Sequence, residues 1–353
     1  MWSEILTGYG IFILEIITLV LIVVAGVAVI MALKEKKATA GELQLVDLAK
    51  SYEENQQKLA DFRLSEEALK QAEKTKKKAE KAKAKAEKAK YKKGEAVEEM
   101  LKPCTYVLDF KGDIHAQETA SLREEISAIL AVANAEQDEV LLRLESPGGV
   151  VHGYGLAASQ LMRLKKHGIK LTVAVDKVAA SGGYMMACVA DKIIAAPFAI
   201  LGSVGVVAQV PNIHRLLKKH DVDVDVMTAG EFKRTITLLG ENTEKGKQKF
   251  QQELEETHEL FKQFVAQNRP HLAIEKIATG EHWFGQQALD LQLIDEIATS
   301  DDVILQAIKT RAVIGVKYIQ KKSLMQKLGK QAEESADNVL SRVMQRNKYD
   351  FIQ

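Results

Sequence analysis

Three features of the sequence predict an α/β domain of repeated strand, turn and helix units, preceded by one transmembrane helix and a charged helical stalk. An apolar run covers residues 8–33, a lysine-dense run covers 70–93, and after Lys102-Pro103 short apolar runs alternate with amphipathic ones. The chain of 353 residues carries 49 Lys+Arg against 48 Asp+Glu. That length allows one large domain or two modest ones of roughly 100–200 residues each. The composition excludes a collagenous, disulfide-knotted or wholly disordered protein. Cys104 and Cys188 are the two cysteines, too few for a disulfide framework and without metal-ligand spacing, so no metal or cofactor is expected.

The run 8–33 is long enough at ~1.5 Å per residue to cross a hydrocarbon core ~30 Å thick, and Glu15 is its one ionisable residue. No Lys or Arg precedes it, unlike the basic leading region of a cleavable signal peptide. A single-pass anchor over residues 1–37, in contact with the lipid bilayer, is therefore expected. Lys34, Lys36 and Lys37 follow the span directly, which by the positive-inside tendency favours a cytoplasmic bulk. Next, Leu45, Leu48, Tyr52, Leu59, Phe62 and Leu69 fit a heptad register for a coiled-coil seam or a packing helix. Residues 70–93 hold twelve lysines against Glu73, Glu80 and Glu87, which reads as a solvated helical stalk over 38–102. With the basic surplus confined to that stretch, nucleic acid is not an expected partner.

The α/β domain is expected over 103–315, with a charged helical tail over 316–353. Strands are predicted at 106–110, 140–144, 171–175, 192–195 and 205–210, and helices at 116–133 and 155–166. Strict alternation of Asp and Val over 221–226 predicts a strand with one wet face. Phe250, Leu254, Phe261, Phe264 and Val265 share a helical face that Pro270 ends.

Two glycine-rich turns follow predicted strands, Ser146-Pro147-Gly148-Gly149 and Ala179-Ala180-Ser181-Gly182-Gly183. Strand-end turns in open α/β sheets are where ligands meet unpaired backbone N–H groups, and glycine lets a substrate approach that backbone closely. Ser181 would stand near a helix N-terminus, which favours a developing oxyanion. Its alternative role is a plain helix cap. A nucleophilic serine needs a base. His152, His214, His220 and His282 lie in no triad signature, and Gly-x-Ser-x-Gly is absent around Ser181. A lysine serves only where burial lowers its pKa from ~10.4 toward neutrality. Lys233, between Phe232 and Ile236, has an apolar flank but no further signal.

With Ala190-Asp191-Lys192-Ile193, Gly202-Ser203-Val204-Gly205-Val206 and Gly230-Glu231-Phe232-Lys233 added in order, residues 106–297 resemble the signal peptide peptidase A family of serine peptidases. The resemblance implies a ClpP/crotonase-like fold and a membrane-anchored serine endopeptidase with a Ser–Lys dyad. Ser181 matches the nucleophile, Lys233 the general base, and Ser203 the serine that orients the lysine amine. The backbone N–H groups of Gly149 and Gly182 match the oxyanion donors. Peptide or unfolded-protein substrates, such as signal-peptide remnants or misfolded chains, are implied, with a homo-oligomer of ring or dome shape. The resemblance also implies the bacterial inner membrane with the catalytic domain on the extracytoplasmic side, opposite to the positive-inside tendency. Where this chain has Gln292 the family usually has glycine, so a different turn is expected there. The alternatives are acyl-CoA chemistry on the same scaffold and a non-catalytic membrane scaffold.

Overall fold

In the computed structural model, which describes residues 41–65 and 102–320 together with Thr18, Ala68 and Lys81, the domain is layered around a seven-stranded sheet. The compact unit runs from Leu43 to Tyr318. The strands are β1 (Glu42–Asp47), β2 (Cys104–Lys111), β3 (Glu139–Glu145), β4 (Lys170–Val175), β5 (Val178–Ala180), β6 (Lys192–Ala195), β7 (Ile200–Gly202), β8 (His282–Phe284), β9 (Glu296–Ile297) and β10 (Ala312–Ile319). The large sheet has the order β1-β10-β2-β3-β4-β6-β9, and β5-β7-β8 form a second, three-stranded sheet. From β10 to β9 every pairing in the large sheet is parallel.

Helices cover both faces, as a parallel sheet requires. On one face lie α2 (Thr119–Val132), α3 (Val151–Lys166) and α4 (Gly182–Ala187), packed over Leu108, Phe110, Val140, Leu142, Val173 and Val175. The apolar residues that α2 buries are Leu122, Ile126 and Ile129, with Leu130 half-buried against the same core, and full burial of each such side chain contributes about 1.5–3 kcal/mol. Helices α5 (His214–Lys219), α6 (Glu244–Asn268), α7 (Ile274–Ile277) and α8 (Gly285–Asp290) follow. Helix α6 is preceded by its N-cap Thr243, whose side chain accepts the Gly246 N–H, and it buries Phe261 and Val265. On the opposite face α9 (Ser300–Ile308) brings Ile304 and Ala307 to Val107, Leu141, Ala174, Ile194 and Val313.

Several expectations change. The heptad register begins in a strand, because Leu45 lies in β1, an edge strand exposed throughout. Helix α1 (Leu48–Phe62) sends Leu48 and Tyr52 to the second core, and the Tyr52 hydroxyl donates to Asp301. Leu59 and Phe62 stay exposed. Residues 205–210 and 221–226 form no strand, since no neighbouring edge offers them a ladder, and Asp221 has φ +55°. Strand β10 runs through the boundary expected at residue 315. Among the described residues no helix is long and apolar enough to cross a membrane. The expected span 8–33 and the lysine-rich run 70–93, apart from Thr18 and Lys81, lie outside the described residues.

At Gln292 the backbone is left-handed, φ +62°, although the residue is not glycine. The Gln292 carbonyl accepts from Arg269 at 3.3 Å, and Arg269 also forms a bidentate pair with Asp295. Burial alone would raise the Asp295 carboxyl, but Arg269 and the Ile193 N–H hold it below the usual range.

Glu125, on α2, is buried, and its carboxylate accepts the Tyr318 N–H at 2.7 Å. Burial pushes its carboxyl up to about 7, helped by Glu118 and Asp109 and opposed by the Tyr318 N–H and Lys317. A raised folded-state pKa contributes stability that is full below the usual glutamate value and lost as pH rises through about 7. Glu125→Gln, which keeps an acceptor for Tyr318, is therefore expected to flatten this part of the pH dependence. Melts at pH 5 and pH 8 should differ between the two proteins by up to about 3 kcal/mol in that sense. Parallel pH profiles would show that Glu125 ionises unhindered.

Candidate active site

The two glycine turns meet at the carboxyl ends of their strands. Ser146 leaves β3 and bridges to Ala179 of β5. Its N–H donates to Val178 O at 2.8 Å and its carbonyl accepts from Ala180 N–H at 3.0 Å. Gly148 has φ +90°, and a Cβ there would lie 2.7 Å from Ser181 Cβ, so only glycine fits between the turns.

Ser181 is the first residue after β5 and the residue before α4, with φ +53° and ψ −119°. This is a strained strand-to-helix turn of the nucleophile-elbow kind, formed without the Gly-x-Ser-x-Gly motif. The Ser181 side chain makes no capping hydrogen bond. The plain capping role is thereby replaced by a hydroxyl held at the mouth of the helix. The turn is fixed through its backbone, with Ser181 N–H donating to Gly202 O at 2.8 Å and its carbonyl accepting from Met185 N–H at 3.0 Å.

Ser203 is the register neighbour of Ser181, because Ala180 pairs with Gly202 in the parallel β5–β7 ladder and each serine follows directly. Ser203 also has positive φ, +51°, and its N–H donates to Glu281 O at 2.7 Å. Ser181 and Ser203, with Gly148, Gly149 and Gly182, line one cleft of about 1050 Å³. Met185, Val206, Leu260, Phe261 and Phe264 give it apolar walls. His258 also lines it, and its Nε2 lies 3.2 Å from Val204 O, bracing the loop beyond Ser203. His258 carried no local signal in the sequence, since its place depends on where α6 crosses the cleft.

Lys233 is not among the residues lining this cleft and is exposed in the single chain. Its N–H closes a turn onto Gly230 O at 3.2 Å. The turn is fastened to α6, where Glu231 pairs with Lys245 and Lys245 Nζ stands 5.6 Å from the Phe232 ring centroid. The structure thus brings together Ser181, Ser203, Gly149 and Gly182, and leaves Lys233 outside. Cys104 and Cys188 are buried away from the cleft, where burial pushes their thiols up to about 11 and about 12. Among the described residues no His, Cys, Asp and Glu group is arranged to hold a metal ion.

Fold and cleft define an α/β protein with a glycine-lined, apolar cleft at its strand ends and an uncapped serine within it. The chain belongs to peptidase family S49 and is a protease: residues 4–161 match the family's N-terminal model and 163–314 its peptidase model. It is 67% identical over 353 residues, the whole of both chains, to the probable protease SohB of Haemophilus influenzae. Over 303 residues, 86% of this chain and 99% of the relative, it is 49% identical to the probable protease SohB of Buchnera aphidicola from Schlechtendalia chinensis. Protease 4 of Haemophilus influenzae is 29% identical over 170 residues, 48% of this chain and 28% of that one. A mutant of the membrane-bound stomatin-specific protease 1510-N aligns with 59% of this chain and 85% of its own, at 16% identity and a TM-score of 0.36.

Proposed function

We propose that this protease is a membrane-anchored serine endopeptidase that cleaves extended peptides through an acyl-enzyme on Ser181. The observation that carries it is the Ser181 hydroxyl, free of capping and held at φ +53° where α4 begins, inside a glycine-lined cleft. The Ser181 oxygen attacks the peptide carbonyl while the Lys233 amine takes its proton. The tetrahedral oxygen is held by the N–H groups of Gly149 and Gly182. Collapse breaks the C–N bond, the lysine returns the proton to the leaving amine, and water then hydrolyses the ester by the reverse proton path. Ser203 orients the lysine amine. The apolar walls favour small apolar side chains of signal-peptide remnants or misfolded chains, with the backbone docked as an added strand.

Because Lys233 is exposed in one chain, the dyad is completed in a homo-oligomer, where a neighbouring copy excludes water from the amine. Acyl-CoA chemistry on this scaffold needs carboxylate acid and base groups, and among the described residues no Asp or Glu lines the cleft. Residues 8–33 anchor the protein in the bacterial inner membrane with the catalytic domain outside the cytoplasm. Protease added to intact spheroplasts is then expected to digest the domain, and full protection would reverse the orientation. The central test compares hydrolysis of an unfolded protein by the full chain and by its Ser181→Ala and Lys233→Ala variants. Full activity in both variants would remove the dyad.

A further inference from the structure

We infer that Ser146 and Tyr154 are positioning residues that hold the Gly149 and Gly182 N–H groups on the tetrahedral oxygen, an inference that rests on Ser181 being the nucleophile. Both side chains are fully buried. Their oxygens lie 2.6 Å apart, and the Tyr154 hydroxyl is 2.8 Å from Asp113 O. A carbonyl only accepts, so tyrosine spends its one proton there and Ser146 donates to tyrosine. Ser146 Oγ in turn accepts the Gly148 N–H at 3.1 Å. The chain of bonds therefore has one direction, from Gly148 N–H through Ser146 and Tyr154 to the Asp113 carbonyl. Burial raises the tyrosine phenol above its ordinary value, so the donor persists across neutral pH.

This chain selects the donor. With the Gly148 N–H committed inward and the Val150 N–H committed to Ile114 O at 2.8 Å, Gly149 lies between two occupied donors. Among the described residues its own N–H has no protein acceptor, and the residue lines the cleft. Gly182 opens α4, where an N–H has no intrahelical partner. The Tyr154 ring backs it so closely that a Cβ on Gly182 would stand 2.4 Å from the ring. A Cβ on Gly183 would stand 2.6 Å from Ser146 O. One tyrosine therefore sets both donors, the first through its hydroxyl and the second through its ring. Gly112 leaves room for the pair, since a Cβ there would fall 2.3 Å from both oxygens.

The test uses the full chain with Tyr154→Phe, which keeps the ring, and Ser146→Ala, with Ser181→Ala as the inactive reference. Each variant is assayed well below its Tm for peptide hydrolysis and for binding of a peptide boronic acid, whose adduct with Ser181 places an oxygen between the two donors. Expected is a loss of kcat of about 10- to 100-fold, smaller than the loss on deleting a donor outright, with KM changed less than about twofold. Boronate affinity should fall in parallel, and the double variant should be no worse than the poorer single one, because the bonds act as a unit. Unchanged kcat and boronate affinity in a folded Tyr154→Phe protein, with Ser181→Ala inactive, would overturn the inference and leave the nucleophile in place. A lowered Tm alone, with kcat retained, overturns it equally. Activity persisting in Ser181→Ala removes the nucleophile itself, and this inference with it.

Discussion

Glycine at position 181 is expected to give a protein that is more stable and catalytically inert. Ser181 holds φ +53° and ψ −119°, a conformation that costs a residue with a Cβ about 1–3 kcal/mol. Glycine adopts it freely but adds about 0.5–1 kcal/mol of backbone entropy to the unfolded chain. The net gain is about 1 kcal/mol, or about 2–4 °C in Tm for a domain of this size. Hydrolysis should fall by about 10⁴- to 10⁶-fold, the scale on which loss of a catalytic nucleophile is felt. Alanine separates strain from chemistry, since it keeps the Cβ and should lose activity equally without gaining stability. A serine that served only as a helix cap would behave in the opposite way. Alanine would then cost about 1 kcal/mol and leave hydrolysis untouched. Thermal unfolding and hydrolysis of an unfolded substrate, measured on the three proteins together, distinguish the two roles.

The parts of the fold legible in the sequence are those whose burial is local and periodic. The strands at 106–110, 140–144, 171–175 and 192–195 fall within β2, β3, β4 and β6, with most of their residues buried, because apolar runs between helices have no other stable place. The regular alternation at 221–226 misled, since alternation specifies a strand only where a partner edge exists, and this segment is largely exposed. Leu45 matches the heptad spacing but lies in β1, before Asp47, which caps α1. At the site, both glycine turns and Ser181 were legible as glycine-rich punctuation after strands. The hydroxyl of Tyr154 was not, because its role depends on Asp113, 41 residues away. Nor was the freedom of the Ser181 side chain, which follows from a backbone angle that no residue type encodes.

Co-assembled Ser181→Ala and Lys233→Ala chains, each inactive alone, are expected to recover hydrolysis. Lys233 belongs to the stretch 205–243, in which α5 is the only regular element. The stretch exposes Val207 at 84% and Met227 at 89%, with Leu216, Phe232 and Leu238 also exposed. Apolar side chains this open, gathered on one segment, mark a surface that another protein covers. A lysine can serve as general base only where its surroundings exclude water, so a base at this position has to be dried by assembly. If a head-to-tail contact sets the Lys233 of one copy against the Ser181 of the next, each site draws its two residues from different chains. Random mixing then leaves both residues intact at about a quarter of the sites, because each copy meets the next through a heterologous contact. Separate affinity tags on the two variants would isolate the mixed particles, and activity near that fraction is the expected reading. Mixed particles with no activity would mean that each lysine serves its own chain's serine, brought inward by a rearrangement of the 205–243 stretch. Arginine at 233 should stay inactive in either geometry, since it keeps the positive charge of lysine but does not yield its proton near neutrality.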